Sequence, residues 1–156
     1  MPSVLFVCTA NICRSPMGEA LLKSVLGPSG KEWRIESAGT WAPEGAPAAE
    51  KAQQVLWKKG IDLTLHRSRS VTREMLEQFN LILTMERGHK EALRVEFPRL
   101  AQRIFLLSEM AGKSHDIHDP IGGSLADFQD TADELYSLLS RGLENICRLA
   151  QEREQV

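Results

Sequence analysis

Three cysteines in 156 residues are too few to staple a fold with disulfides. Reduced thiols in a cytoplasmic setting are the expectation. No apolar run approaches the ~20 residues that a membrane-spanning helix needs. Met1-Pro2-Ser3 leads straight into a strand, so no signal peptide is expected. Charge of one sign is missing as well: 19 Lys and Arg stand against 21 Asp and Glu, a formal charge of −2, and the isoelectric point is near 6.1. That balance gives no reason to expect nucleic acid or an anionic membrane as a partner. Neither an internal repeat nor a linker interrupts the chain. Residues 1–156 are therefore expected to form one domain around one core, as a monomer.

What is present is concentrated near the N-terminus. Val4-Leu5-Phe6-Val7 is apolar and partly β-branched, as a buried strand should be. Ser15-Pro16 reads as a helix start, with Ser as N-cap and Pro in the first turn. Between them lie Cys8, five residues and Arg14. A loop that short curls tightly and turns backbone N–H groups of Thr9, Ala10, Asn11, Ile12 and Cys13 inward. With the positive end of the following helix, these donors form a cradle for a tetrahedral dianion. Cys8 belongs at its floor, where the field favours thiolate and makes the sulfur a nucleophile. Arg14, at the rim, can grip two phosphoryl oxygens at once. Asn11 tolerates the left-handed φ that such a loop needs. The spacing alone also fits a cysteine that is merely small and buried; the strand before it and the capped helix after it favour the functional reading.

Along the rest of the chain, Pro16 to Leu26 reads as a helix with Met17, Ala20, Leu21, Ser24 and Val25 inward, stopped by Gly27-Pro28. Ser29-Gly30-Lys31 is a turn, Trp33 to Ser37 a strand, and Trp41 to Pro47 a surface loop. A helix follows over Ala48 to Lys59, then an irregular basic stretch from Leu63 to Val71, then a short helix capped by Thr72. Asn80 to Met85 and Arg103 to Leu107 read as strands, with a helix from Glu86 to Val95 between them. Ser108 to Gly123 is a long connection, of a length that is usually functional. Ser124 with Asp127 caps one last amphipathic helix, whose apolar positions run from Leu125 to Ala150. This alternation predicts a single-domain, doubly wound α/β fold with four parallel strands and helices on both faces. Its phosphate-binding loop follows the first strand, at the carboxyl edge where such folds bind ligands.

Val7-Cys8-Thr9-Ala10-Asn11-Ile12-Cys13-Arg14-Ser15-Pro16 resembles the signature of the low-molecular-weight protein tyrosine phosphatases. Ser37-Ala38-Gly39, His66 with Arg69, and Asp119-Pro120 extend the resemblance over nearly the whole chain. It implies a phosphomonoesterase that uses no metal or cofactor and acts on phosphorylated proteins through a cysteinyl-phosphate, with phosphate and other oxyanions as product or inhibitor. Asp119, which by itself is either a candidate general acid on the long connection or Asp-Pro turn chemistry, becomes under the resemblance the general acid and then the base, with Pro120 beside it. Asn11, Ser37 and His66 become a buried polar network; without the resemblance, His66 would read as a surface histidine. Ser15 can serve as N-cap, as a donor to the Cys8 sulfur, or both. Ala10 departs from the family's usual glycine, which a methyl permits if φ stays negative there.

Several readings stay open on residues alone. Trp41 is either a wall of the substrate cleft or a partly buried anchor. Cys13 is either a resolving thiol for oxidised Cys8 or a packing residue. Cys147 reads as packing, and Arg67, Arg69 and Arg73 as a solvated basic face. His115, Asp116 and His118 have metal-like ingredients but no further paired ligand, so no metal site is expected. Thioredoxin-coupled arsenate reductases resemble the same scaffold but need further cysteines mid-chain, and none lies between Cys13 and Cys147. Protein arginine phosphatases resemble it more closely, in the run Asp119-Pro120-Ile121-Gly122-Gly123-Ser124. Ile12 looks instead like the tyrosine branch, where the arginine branch has Thr. A non-catalytic phosphate-binding module is a further alternative, against which intact Cys8, Arg14 and Asp119 argue.

Overall fold

A computed structural model describes residues 1–152 of the chain. Its centre is β1 (Ser3–Cys8), all six residues of which are buried. β2 (Arg34–Gly39), β3 (Leu81–Thr84) and β4 (Ile104–Leu106) complete a four-stranded parallel sheet in the order β2-β1-β3-β4. Val4 stands opposite Ile35 on one side and Leu81 on the other.

Because strand side chains alternate, β1 feeds two cores. Val4, Phe6 and Cys8 pack on the face covered by α1 (Arg14–Leu26), α2 (Glu50–Trp57), α6 (Leu125–Arg141) and α7 (Leu143–Glu152). Leu5 and Val7 pack on the other, against Leu76 of α3 (Arg73–Glu77), Phe79 and Leu93 of α4 (Arg87–Glu96). The expected fold class is the observed one. Among the described residues, no helix is long and apolar enough to cross a membrane.

Several boundaries and faces differ from expectation, each for a local reason. α1 begins at Arg14 with Cys13 in the N-cap position, not at Pro16 with Ser15 as cap. The Ser15 hydroxyl is engaged elsewhere and makes no capping bond. Leu22 is buried where Ser24 was expected, and Ser24 is exposed. The last helix is not continuous: it breaks at Gly142, where a Cβ would lie 2.7 Å from the Met110 Cβ. That crossing admits only a glycine, and the i→i−4 bonds from Gly142 N–H to the Leu138 carbonyl and from Ile146 N–H to the Gly142 carbonyl carry the chain on into α7. The Ser124–Asp127 capping box is present as expected, with Asp127 N–H donating to Ser124 Oγ at 3.2 Å and Ser124 N–H to Asp127 Oδ2 at 2.9 Å.

The long connection before α6 is more ordered than its composition suggests. It opens with a helical turn, α5 (Leu107–Met110). The Ser108 hydroxyl then bonds the backbone of His115, and the Ile117 N–H donates to the Met85 carbonyl at 2.9 Å. The segment that carries Asp119 is thus tied to the carboxyl end of β3.

Candidate active site

The loop from Cys8 to Arg14 is held from outside by β2. Thr40 N–H donates to the Cys8 carbonyl at 2.8 Å, and Trp41 N–H to the Thr9 carbonyl at 2.9 Å. This approach leaves no room for a side chain at Gly39, where a Cβ would stand 2.4 Å from the Thr9 carbonyl oxygen. Inside the loop, Asn11 sits at φ 57°, the one positive φ at a non-glycine residue among those described. Ala10 keeps a negative φ, so its methyl is accommodated. The N–H groups of Thr9, Ala10, Asn11, Ile12 and Cys13 donate to no protein acceptor among the described residues. They remain available as donors in the loop that lines the cavity beside Cys8.

The Asn11 side chain organises the surroundings. Its Nδ2 donates to Ser15 Oγ at 2.8 Å and to Ser37 Oγ at 3.0 Å, and its Oδ1 accepts from the Arg69 N–H at 3.0 Å. His66 Nε2 donates to the Asn11 carbonyl at 2.7 Å. The network implied for Asn11, Ser37 and His66 is therefore assembled here. Since Asn11 donates to Ser15, the Ser15 hydroxyl proton is free to point at the Cys8 sulfur, 3.0 Å away. Among the described residues the competing acceptor is the Ala38 carbonyl, farther at 3.4 Å. Arg69 corrects the basic-face reading: its guanidinium bonds the Ser37 carbonyl and Glu36, so it braces the network. Arg73 lies over the Phe97 ring, and Arg67 bonds the carbonyls of Thr64 and His66.

Arg14 is only 1% exposed. Its Nη1 reaches Glu86 Oε2 at 2.6 Å and the Ile117 carbonyl at 2.8 Å, while Nη2 stands 3.5 Å from Asp119 Oδ2. Asp119 also accepts from the Ile121 N–H at 3.0 Å, a turn bond within its own loop. Cys8, Thr9, Ala10, Ile12, Cys13, Arg14, Trp41, Asp119 and Ile121 enclose a cavity of about 350 Å³. Trp41 is 85% exposed at its mouth, so it is not a partly buried anchor. Pro120 is buried behind Asp119. Burial, reinforced by the charges of Asp119 and Cys8, pushes the Cys13 thiol up to about 12. Burial also raises Cys147, half-buried on α7.

Two residues at the site were not anticipated from sequence. Glu86, which holds Arg14, and His89, whose Nε2 lies 2.8 Å from Thr9 Oγ1, belong to the first turn of α4. Their signal was available: Thr84-Met85-Glu86 leaves a buried parallel strand at its carboxyl end, where ligands bind in such folds. The metal-like run, by contrast, is dispersed. His115 pairs with Glu134, Asp116 accepts from the Arg87 N–H, and His118 is exposed. Among the described residues no group of three or more His, Cys, Asp or Glu is placed to hold a metal ion.

Residues 3–153 match the family described as low molecular weight phosphotyrosine protein phosphatase. The chain belongs to that family. A protein-arginine-phosphatase of Bacillus subtilis (strain 168) is 40% identical over 137 residues, 87% of this chain and 91% of that one. The low molecular weight protein-tyrosine-phosphatase Etp of Escherichia coli (strain K12) is 35% identical over 139 residues, 89% and 88% of the two chains. Among solved structures, the low molecular weight protein tyrosine phosphatase from T. tengcongensis superposes with a TM-score of 0.88 at 41% identity. That match covers 93% of this chain and 99% of the other. A low molecular weight phosphatase is thus a hydrolase of phosphorylated proteins, and the cysteine-dependent chemistry of its family fits this loop.

Gly39 gives this geometry a direct check. Gly39→Ala should push the Cys8 loop outward and strip most aryl-phosphate turnover, whereas Gly88→Ala, where a Cβ meets nothing within 4 Å, should leave turnover intact. Steady-state assays of both variants decide it, and full activity in Gly39→Ala would contradict the close approach.

Proposed function

We propose that this phosphatase hydrolyses phosphotyrosine in proteins through a cysteinyl-phosphate on Cys8. The Cys8 thiolate, steadied by the Ser15 hydroxyl 3.0 Å away, attacks phosphorus in line with the ester oxygen. The free loop N–H groups and Arg14 receive the three non-bridging oxygens. Arg14 and Asp119 stand only loosely paired, at 3.5 Å, so an incoming dianion takes over Arg14 and leaves the Asp119 carboxyl for the leaving oxygen. The phosphorus–oxygen bond breaks and protonated Asp119 delivers its proton to the departing phenolate. As carboxylate, Asp119 then takes a proton from the water that attacks the phosphocysteine, releasing inorganic phosphate and restoring the thiolate. The charges are met by Arg14 and backbone donors, so the sequence of steps needs no metal. The cradle is complete within one chain, which supports a monomer as the working unit.

The observation that carries the substrate reading is the apolar wall. Ile12, Trp41 and Ile121 line the mouth, with Asp119 as the one carboxylate beside them. A guanidinium brings N–H donors that these walls cannot satisfy, and an unpaired buried donor costs about 1–3 kcal/mol, roughly 5- to 150-fold in relative rate. An aromatic ring makes no such demand and gains from the contact. The second reading, phosphoarginine, is favoured by the run from Asp119 to Ser124 and by relatives named protein-arginine-phosphatase in Bacillus subtilis and Geobacillus stearothermophilus.

Two peptides differing only in phosphotyrosine or phosphoarginine, assayed at equal concentration, test the choice. The phosphotyrosine peptide should turn over faster, and Ile12→Thr should move the ratio toward phosphoarginine; a natural preference for phosphoarginine overturns the reading. The role of Asp119 predicts a loss on Asp119→Ala of roughly 10²–10⁴-fold for phenyl phosphate and far less for strongly activated aryl esters. Uniform slowing across a leaving-group series would make Asp119 structural. For Cys13 we propose a resolving role: peroxide should convert Cys8 to the sulfenic acid, and Cys13 should displace water from it to give a disulfide that thiols reverse. With the Cys13 thiol near 12, the step should speed up with pH. Peptide mass spectrometry showing only Cys8 sulfonic acid would return Cys13 to packing.

A further inference from the structure

α4 starts where β3 ends, directly beside the loop that follows β1. Its first turn touches that loop at both ends. Glu86, in the N-cap position, holds Arg14, the last residue of the loop. Three residues on in the same turn, His89 Nε2 bonds the hydroxyl of Thr9, the residue next to Cys8.

His89 is an expensive choice for packing alone. It is only 7% exposed, and its Nδ1 is buried with no hydrogen-bond partner. An aliphatic side chain of similar volume would fill the space without an orphaned polar atom. The Nε2–H tautomer is the favourable one. It donates to Thr9 Oγ1, with the Glu86 carboxylate 3.7 Å from the same nitrogen, and leaves only a lone pair unmatched on Nδ1. Burial pushes this imidazole below the ordinary histidine range, against the upward pull of Glu86, so the neutral ring is the working form. The Thr9 hydroxyl needs that anchor, because Thr9 lines the cavity and has no other side-chain partner among the described residues.

We propose that His89 is a positioning residue: through Thr9 it fixes the cysteine end of the phosphoryl cradle, while Glu86 fixes the arginine end, so that the first turn of α4 clamps the loop ready for a phosphoryl dianion. The inference rests on the cradle reading above and assigns no new step to the reaction. Its energetic content is preorganisation, the loop geometry being held before the anion arrives.

The experiment measures the inhibition constant of inorganic phosphate and kcat/KM for an aryl phosphate in four variants. Thr9→Val removes the hydroxyl at constant shape, His89→Gln keeps a donor near the Nε2 position, His89→Met keeps volume without a donor, and Thr9→Val is combined with His89→Met. Phosphate binding and kcat/KM should weaken together by about three- to tenfold in Thr9→Val and in His89→Met. His89→Gln should recover most of the loss. The double variant should be no worse than Thr9→Val, because both changes remove one interaction. Full activity in Thr9→Val, recovery by His89→Met, or additive losses in the double variant would overturn the clamp. Thr9→Val leaves the buried ring in place, so the test stands even if a His89 variant does not fold. A natural enzyme that neither binds phosphate nor turns over the ester would overturn the cradle reading itself, a result distinct from an active enzyme indifferent to Thr9.

Discussion

The Asn11 side-chain amide, with its backbone at φ 57°, is the constraint on which the rest of this site depends. A loop whose five backbone N–H groups find no protein acceptor among the described residues forgoes the bonds those groups would otherwise make. Left alone it would relax and spend them on neighbouring carbonyls. Asn11 prevents this by donating to Ser15 and Ser37 and accepting from Arg69, which ties the loop to α1, to β2 and to the segment after α2 at one point. The left-handed backbone is tolerable at asparagine and costly at most other residues. His66 adds a fourth strut through the Asn11 carbonyl. Polar networks of this kind rigidify only when every member is satisfied, and here Ser15, Ser37, Arg69 and His66 each have a partner.

The second constraint is a buried positive charge. Arg14 is removed from water, and a lone buried cation is strongly disfavoured. Glu86 and the Ile117 carbonyl compensate on one guanidinium nitrogen, leaving the other loosely paired with Asp119. That asymmetry suits an anion site. One nitrogen is committed to structure and fixes the plane of the fork, and the other keeps a partner that a dianion can replace without breaking the frame.

The sequence was most legible where local chemistry decided the outcome. Alternation and apolar runs gave all four strands, and the Thr72 and Ser124 caps stand where those side chains call for them. Cys8, Arg14 and Asp119 meet in one cavity as their motif implied. What failed to show were features set by approach between distant segments. Gly142 looks like any tolerated helix glycine until Met110 is seen pressed against it. Ser15 satisfies every local rule for an N-cap, yet the pull of Asn11 and Cys8 moves the helix start to Arg14. Arg69 reads as one of three surface cations, and only the register of β2 reveals that Glu36 and the Ser37 carbonyl lie within its reach. Glu86 and His89 belong to no motif and were reachable only through the rule that parallel strands present their carboxyl ends to ligands.

That rule also explains why so many separate pieces of chain converge on Cys8. All strands run the same way, so the exits of β1, β2 and β3 open on one edge of the sheet. The chain leaves β1 toward β2 on one side and β3 lies on the other, so the edge parts above Cys8 and makes room for a ligand there. β2 contributes Gly39, the exit of β3 contributes Glu86 and His89, and the connection tied to Met85 contributes Asp119. The core needs none of these four: most of what buries β1 on its two faces lies away from the cavity, and Cys8, Ile12 and Cys13 are shared between core and site. Stability is therefore carried by the apolar strand body, while reactivity is carried by the strand exits. Of the walls, Trp41 and Ile121 stand exposed on loops while Ile12 packs against the core, so substrate choice can shift on this scaffold with least cost to the fold at the first two.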